Sequence, residues 1–164
     1  MIRKAQPIIL VCLAALSACS PGSAEGASAS APVTAAARHA ESGLPVIPLT
    51  VTTRGGKHPF RVEVASSGAE QSKGLMFRSA MGGDEGMIFP LDPPRDAAFW
   101  MRNTVISLDI IFVGLDGRIL NIAANAVPYS ETPLPSAGPV KAVLELIGGR
   151  AAALGIVPGD KVEW

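Results

Sequence analysis

Hydrophobic and polar positions divide the chain into three stretches. An apolar run over residues 7–18 follows the cationic Arg3 and Lys4. Residues 20–44 then carry Ala, Ser, Gly and Pro with few bulky side chains. Such a stretch buries too little apolar area to offset its ordering entropy, so a flexible tether is expected, with Arg38, His39 and Glu41 solvated inside it. From residue 45 the pattern becomes a series of short β-type segments. Residues 46–52 are β-branched, with Pro45 and Pro48 near the start, as an edge strand tolerates. Residues 60–64 alternate, placing Phe60, Val62 and Val64 inward and Arg61 and Glu63 outward. Ser67-Gly68-Ala69-Glu70 has the form of a capping box and predicts a short helix stopping near Gly74. Residues 86–89 read as a buried strand ended by Pro90, and Pro93-Pro94 forbids continuation. Residues 97–101 and 105–113 are the most hydrophobic strand candidates, and Asp116-Gly117 predicts a hairpin turn into 118–123. Residues 125–139 hold four prolines and read as a loop. Beyond them, 140–147 is a strand broken by Gly148-Gly149, 150–154 a helical turn or two, and 161–164 a final strand. Seven or eight short strands and one or two short helices predict a single mainly β domain over residues 45–164, an antiparallel sandwich or partly closed barrel.

The apolar run is shorter than the roughly 20 residues a helix needs to cross a bilayer, and with its cationic start it fits an export signal. Leu16-Ser17-Ala18-Cys19 resembles the lipobox of bacterial lipoproteins. That resemblance implies removal of residues 1–18, acyl chains on Cys19, and an envelope protein facing the periplasm. Ser20 stands where an inner-membrane retention signal would carry aspartate, which points to the outer membrane. Cys12 leaves with the signal and Cys19 is the anchor, so the folded domain has no thiol for a disulfide, a nucleophile or a zinc-thiolate site. The chain has 14 acidic and 14 basic residues; loss of Arg3 and Lys4 leaves the mature protein near −2. That balance gives no electrostatic footprint for a nucleic acid or for anionic lipid headgroups.

An ordered series of motifs runs through the domain: Glu70-Gln71, Gly74-Leu75-Met76-Phe77-Arg78, Gly86-Met87-Ile88-Phe89, and Phe99-Trp100-Met101-Arg102-Asn103-Thr104. Leu108-Asp109-Ile110-Ile111-Phe112, Asp116-Gly117-Arg118-Ile119, Val143-Leu144-Glu145-Leu146 and Gly155 with Gly159-Asp160 complete it. Over about residues 58–163 the series resembles domain-of-unknown-function family 192 of bacteria and archaea. The resemblance implies a compact, mainly β domain, often exported, with no activity attached to its motifs. Gly82-Gly83 departs from the Leu-Pro-like pair usual in the family, and Ala123-Ala124-Asn125 is poor in acidic residues for its place.

Three constellations carry candidate chemistry. The first is polar: Arg78, Trp100, Asn103, Thr104, Asp109 and Glu145 as a ligand edge. Asp109 alternates with Ile111 and Val113, and Glu145 with Val143 and Ile147, so both carboxylates face apolar surroundings. Each needs an arginine, backbone N–H groups or a cleft. As a dyad, Asp109 and Glu145 would suit a hydrolase or lyase on envelope glycan, provided they share a face and lie within about 10 Å. Structural pairing is the competing reading of both, as a plain cap is of Glu70. The second constellation, Met76, Met81, Met87 and Met101 with Trp100 and His58, offers soft ligands for Cu(I), against ordinary core packing. The third is the proline-rich loop, which presents Tyr129, Ser130 and Ser136. No Gly-x-Ser-x-Gly elbow and no phosphate-cradling loop are present, and no cofactor is implied. The expected role is a non-catalytic ligand-binding or accessory module that meets an envelope polymer or a small ligand.

Overall fold

The computed structural model describes residues 37–164. The expected signal, Cys19 and most of the tether lie outside the described residues. Nine strands and two short helices follow in the order β1 Val46–Thr53, β2 Gly56–Val64, α1 Gly68–Lys73, β3 Glu85–Arg95, β4 Ala98–Phe99, β5 Leu108–Gly114, β6 Ile119–Ala126, β7 Leu134–Pro135, β8 Val140–Ile147, α2 Arg150–Leu154 and β9 Lys161–Glu163. Seven strands form one sheet in the order β6-β5-β8-β3-β2-β1-β9, and β4 pairs with β7 separately. All pairings are antiparallel except β2 with β3. The two sheet edges come together at the Arg118–Lys161 bridge, supported by Val162 N–H on the Gly117 carbonyl at 2.8 Å and Ile119 N–H on the Asp160 carbonyl at 2.9 Å. The domain is thus mainly β and mostly antiparallel, with two short helices and no closed barrel.

Side-chain alternation divides the apolar residues between the two faces of this sheet. The inner face of every long strand contributes to one cluster, including Leu49, Phe60, Ile88, Ile111, Ile119, Leu144 and Val162. The outer face of the central strands forms a second cluster, including Met87, Phe89, Ile110, Phe112 and Val143. Covered on both sides, β5 is buried along its whole length, which explains its near-continuous hydrophobic run. The outer cover is α1 with the following loop, the 96–107 loop and the 127–139 loop. Phe99 pins this cover down, with its ring edge-on to Phe89 at 5.1 Å and to Phe112 at 6.3 Å.

Several expected boundaries shift. β3 runs past Pro90 to Arg95, with its ladder to β8 irregular between those two residues, a place where missing amide donors are tolerated. Of the expected strand 97–101 only β4 forms, and residues 105–107 are loop rather than strand. The 125–139 segment is a loop except for the end of β6 and β7. Asp116 accepts from Arg118 N–H at 2.9 Å, and Gly117, at φ 78°, makes the turn between β5 and β6. The tether boundary also moves. Arg38 pairs with Pro45, Gly43 N–H reaches the His39 carbonyl at 2.8 Å, and Val46 N–H reaches the Ala37 carbonyl at 2.6 Å. Residues 37–45 are therefore a tight turn packed on the domain, not part of a free leash.

Candidate functional site

The capping box expected at α1 is present. Ser67 Oγ accepts from Glu70 N–H at 3.2 Å, and the Glu70 carboxylate accepts from Ser67 and Ser66 N–H at 2.7 and 2.9 Å. Those amides hold the Glu70 carboxyl below the usual carboxylate range. Gly74 ends the helix at φ 46°, where a Cβ would lie 3.3 Å from the Phe89 ring. Gln71 Nε2 donates to the carbonyls of Ala65 and Pro90 at 3.2 and 2.8 Å and so docks α1 onto the sheet.

Between α1 with Leu75 and Met76 on one side, and the 95–104 segment on the other, lies a cleft of about 440 Å³. Leu75, Phe89, Leu91, Phe99 and Trp100 give it apolar walls, and Lys73, Arg95, Asp96 and Arg102 are the charged residues around it. Trp100 is half exposed, and the Arg102 guanidinium lies 6.0 Å from its ring centroid. Thr104, whose hydroxyl donates to the Arg102 carbonyl at 3.2 Å, and Glu145 complete the lining.

Glu145 is the unusual member. It is 4 % exposed, and its carboxyl has no hydrogen bond or ion pair among the described residues. Burial pushes the carboxyl up to about 8, so near neutral pH it holds its proton. Its register explains its direction: Glu145 lies opposite Met87 on β3 and Ile110 on β5, both members of the outer cluster.

Asp109 occupies the other face. It lies opposite Leu146 and alternates with Ile111, both in the inner cluster. Its carboxylate accepts from Asn125, Gly149 and Ala151 N–H at 2.8, 3.1 and 2.7 Å. Backbone amides, rather than Arg78 or Arg102, are thus its partners, and it fastens the start of α2 to β5 and β6. With Asp109 and Glu145 on opposite faces, the dyad fails.

Arg78 is also committed. Its guanidinium makes a two-pronged pair with Glu63 at 2.9 and 3.2 Å, and Nε meets Glu41 at 3.1 Å. The Ser42 hydroxyl donates to Glu63, and His39 Nδ1 lies 3.6 Å from it. Glu63, expected to face solvent, is buried because the 37–45 turn and the loop after α1 cover the outer face there. Asn103 lies beside the cleft rather than in it. At φ 55° its carbonyl accepts from Phe77 N–H at 2.8 Å, and its amide approaches the Met76 sulfur at 3.8 Å.

The copper set does not assemble. Met87 and Met101 are wholly buried in the outer cluster, which Met81 also joins, while Met76 lines the cleft. His58 contacts Thr53 Oγ1 at 3.2 Å, five residues along β2 from the position opposite Met87, or roughly 16 Å of strand. In the proline-rich loop, Ser136 Oγ accepts from Ala97 N–H at 3.0 Å and the Ser130 carbonyl from Met101 N–H at 2.7 Å. Tyr129 stands exposed at φ 63°. A second hollow, about 490 Å³, lies beside Thr52, Arg118 and Lys161. There Arg118 is bonded to the Gly159 carbonyl at 2.8 Å, and Lys161 to that of Asp116. Lys73 and Arg95 carry no signal in the sequence because nothing in their local pattern differs from that of ordinary surface cations, and Arg102 stands out there only as part of the Phe99–Thr104 motif.

The DUF192 family profile, described as Uncharacterized ACR, COG1430, matches residues 49–164. The chain belongs to the DUF192 family. Among solved structures, this DUF192 chain is similar to a protein of unknown function from Novosphingobium aromaticivorans DSM 12444, at 66% identity and TM-score 0.78, over 80% of this chain and 94% of that one. It is also similar to a Sinorhizobium meliloti 1021 protein described as a candidate transcription regulator, at 39% identity and TM-score 0.71, over 73% and 94%. The search of curated proteins gives no match.

Proposed function

We propose that this DUF192 domain is a non-catalytic ligand-binding module that takes a small ligand, or the end of an envelope polymer, in the cleft between α1 and the 95–104 segment. The observation that carries the reading is Glu145: a buried carboxyl, free of protein partners among the described residues, at an aromatic-walled cleft of about 440 Å³. Carboxyls this buried are ordinarily hydrogen-bonded within the protein, and one that lines a concave site without such a bond is placed to meet a ligand there. The other carboxylate that stood out, Asp109, has three amides already and faces the opposite side of the sheet, so it cannot act with Glu145 as a glycosidase pair. The balanced charge of the chain, 14 acidic and 14 basic residues, keeps nucleic acid out of the proposal.

The same proposal places the domain in the bacterial envelope, facing the periplasm, held at the outer membrane by acyl chains on Cys19. The Leu16–Cys19 motif and the thiol-free domain that follows support it.

The cleft is tested by titrating the protein with a library of small polar organic compounds at millimolar concentration. Trp164→Phe removes the other indole, so emission reports Trp100 alone. A saturable change in Trp100 emission that disappears in Phe99→Ala is expected. A library without a single saturable response would remove the reading.

A further inference from the structure

Glu145 lies in a row across the outer face of the sheet, Glu63–Met87–Glu145–Ile110, fixed by strand register. The other acid of that row, Glu63, is neutralised by Arg78. No cation does the same for Glu145, and burial alone sets its proton affinity. A carboxyl so placed keeps its proton until something cationic arrives. Resting on the cleft reading above, we infer that the cleft takes an organic zwitterion, with an ammonium group against the Glu145 carboxylate and an anionic group among Lys73, Arg95 and Arg102.

Each half of that assignment has its own support. An ammonium group supplies the charge and three donors, whereas a neutral hydroxyl leaves the acid uncompensated. Phe89, Phe99 and Trp100 line the same space, and aromatic rings attract cations. A simple monoamine meets opposition at the cleft, where Lys73 from α1, Arg95 from the end of β3 and Arg102 from the following loop outnumber Asp96. An anionic group on the ligand turns that excess into an attraction. No other charged residue lines the cleft among those described. The nearest acid on the same face, Glu63, stays with Arg78.

Three probes separate these contributions: 4-(aminomethyl)benzoate, 4-(hydroxymethyl)benzoate and benzylamine, each titrated against the full chain carrying Trp164→Phe. The first is expected to bind about tenfold more tightly than either of the others, since each of those lacks one charge contact. Its affinity should rise from pH 6 to pH 8 as Glu145 gives up its proton more readily. Calorimetry in buffers of different ionisation enthalpy should show close to one proton released per molecule bound at pH 6.5. Glu145→Gln should abolish both the preference for the amine and the pH dependence. Proton release is measured on the unaltered Glu145, so the test survives a variant that fails to fold. Equal binding of the hydroxymethyl compound without proton release would overturn the ligand class, as would failure of all three probes. The library titration judges the cleft itself separately.

Discussion

Two acids on neighbouring strands of one sheet have opposite electrostatic situations. Asp109 is turned inward, and three amide donors meet its unexposed carboxylate. Asp109→Ala leaves those buried amides unmet and should cost about 3 kcal/mol or more in urea unfolding; a loss below about 1 kcal/mol would contradict the assigned role. Glu145 behaves in the reverse sense. Its folded-state carboxyl titrates at about 8 against 4.5 for the free group, so the folded protein binds the extra proton between those pH values. Stability from this group is therefore fully present below pH 4.5 and is lost as pH rises through 8. The difference is of the order of 5 kcal/mol at ~1.4 kcal/mol for each pH unit. Melting followed from pH 5 to pH 9 should fall more steeply for the wild type than for Glu145→Gln, and parallel curves would show that Glu145 is solvated. The oddity of both acids is legible in the sequence, because each interrupts an alternating apolar pattern. Their partners are not legible: the amides that meet Asp109 come from residues up to 42 positions away. Glu63 is hidden for the opposite reason, since its alternation is that of an ordinary solvent-facing residue until a turn from before β1 covers it.

At the level of elements, α1 is six residues long, too short to persist by propensity alone. Its caps and its docking to the sheet hold it as a cleft wall. Ser67→Ala should cost about 1 kcal/mol and, by loosening that wall, should weaken ligand response at the cleft. Hydrogen exchange at 70–74 would report both, and unchanged protection there would separate the helix from the cleft. The 37–45 turn depends on one buried cluster in the same way. Glu63→Gln leaves the buried Arg78 guanidinium with only the exposed Glu41 as a charged partner, a change expected to destabilise by about 3 kcal/mol. Amide exchange at Gly43 and Val46 should quicken before the rest of the sheet if the turn is held there. The strands themselves were largely readable: alternation marked β2, a continuous apolar run marked β5, and Asp116-Gly117 marked the turn after it. Where the reading slipped, tertiary pairing had overridden local punctuation, as when β3 continued beyond Pro90.

At the scale of the whole molecule, the described residues form one turn-bounded domain, and the proposed lipid anchor at Cys19 lies outside them. Cys19→Ala should move the protein from the detergent phase to the aqueous phase when an expressing bacterium is fractionated, and wild-type protein found wholly in the aqueous phase would end the envelope placement. No helix among the described residues is long and apolar enough to cross a membrane. The mainly β, mostly antiparallel class of the domain followed from the spacing of short strands, whereas the gathering of seven of them into one sheet did not. The cleft did not, because its two walls, α1 with Leu75 and Met76 and the 95–104 segment, are separate in sequence and meet only over the outer face.

The sheet also works as a partition. Everything that secures the inner cluster, Asp109 included, is turned away from the aromatic cleft, and the loops that shape the cleft rest on the opposite surface. Side chains of the loops on one surface can thus be exchanged while the interior that keeps the sheet folded stays as it is.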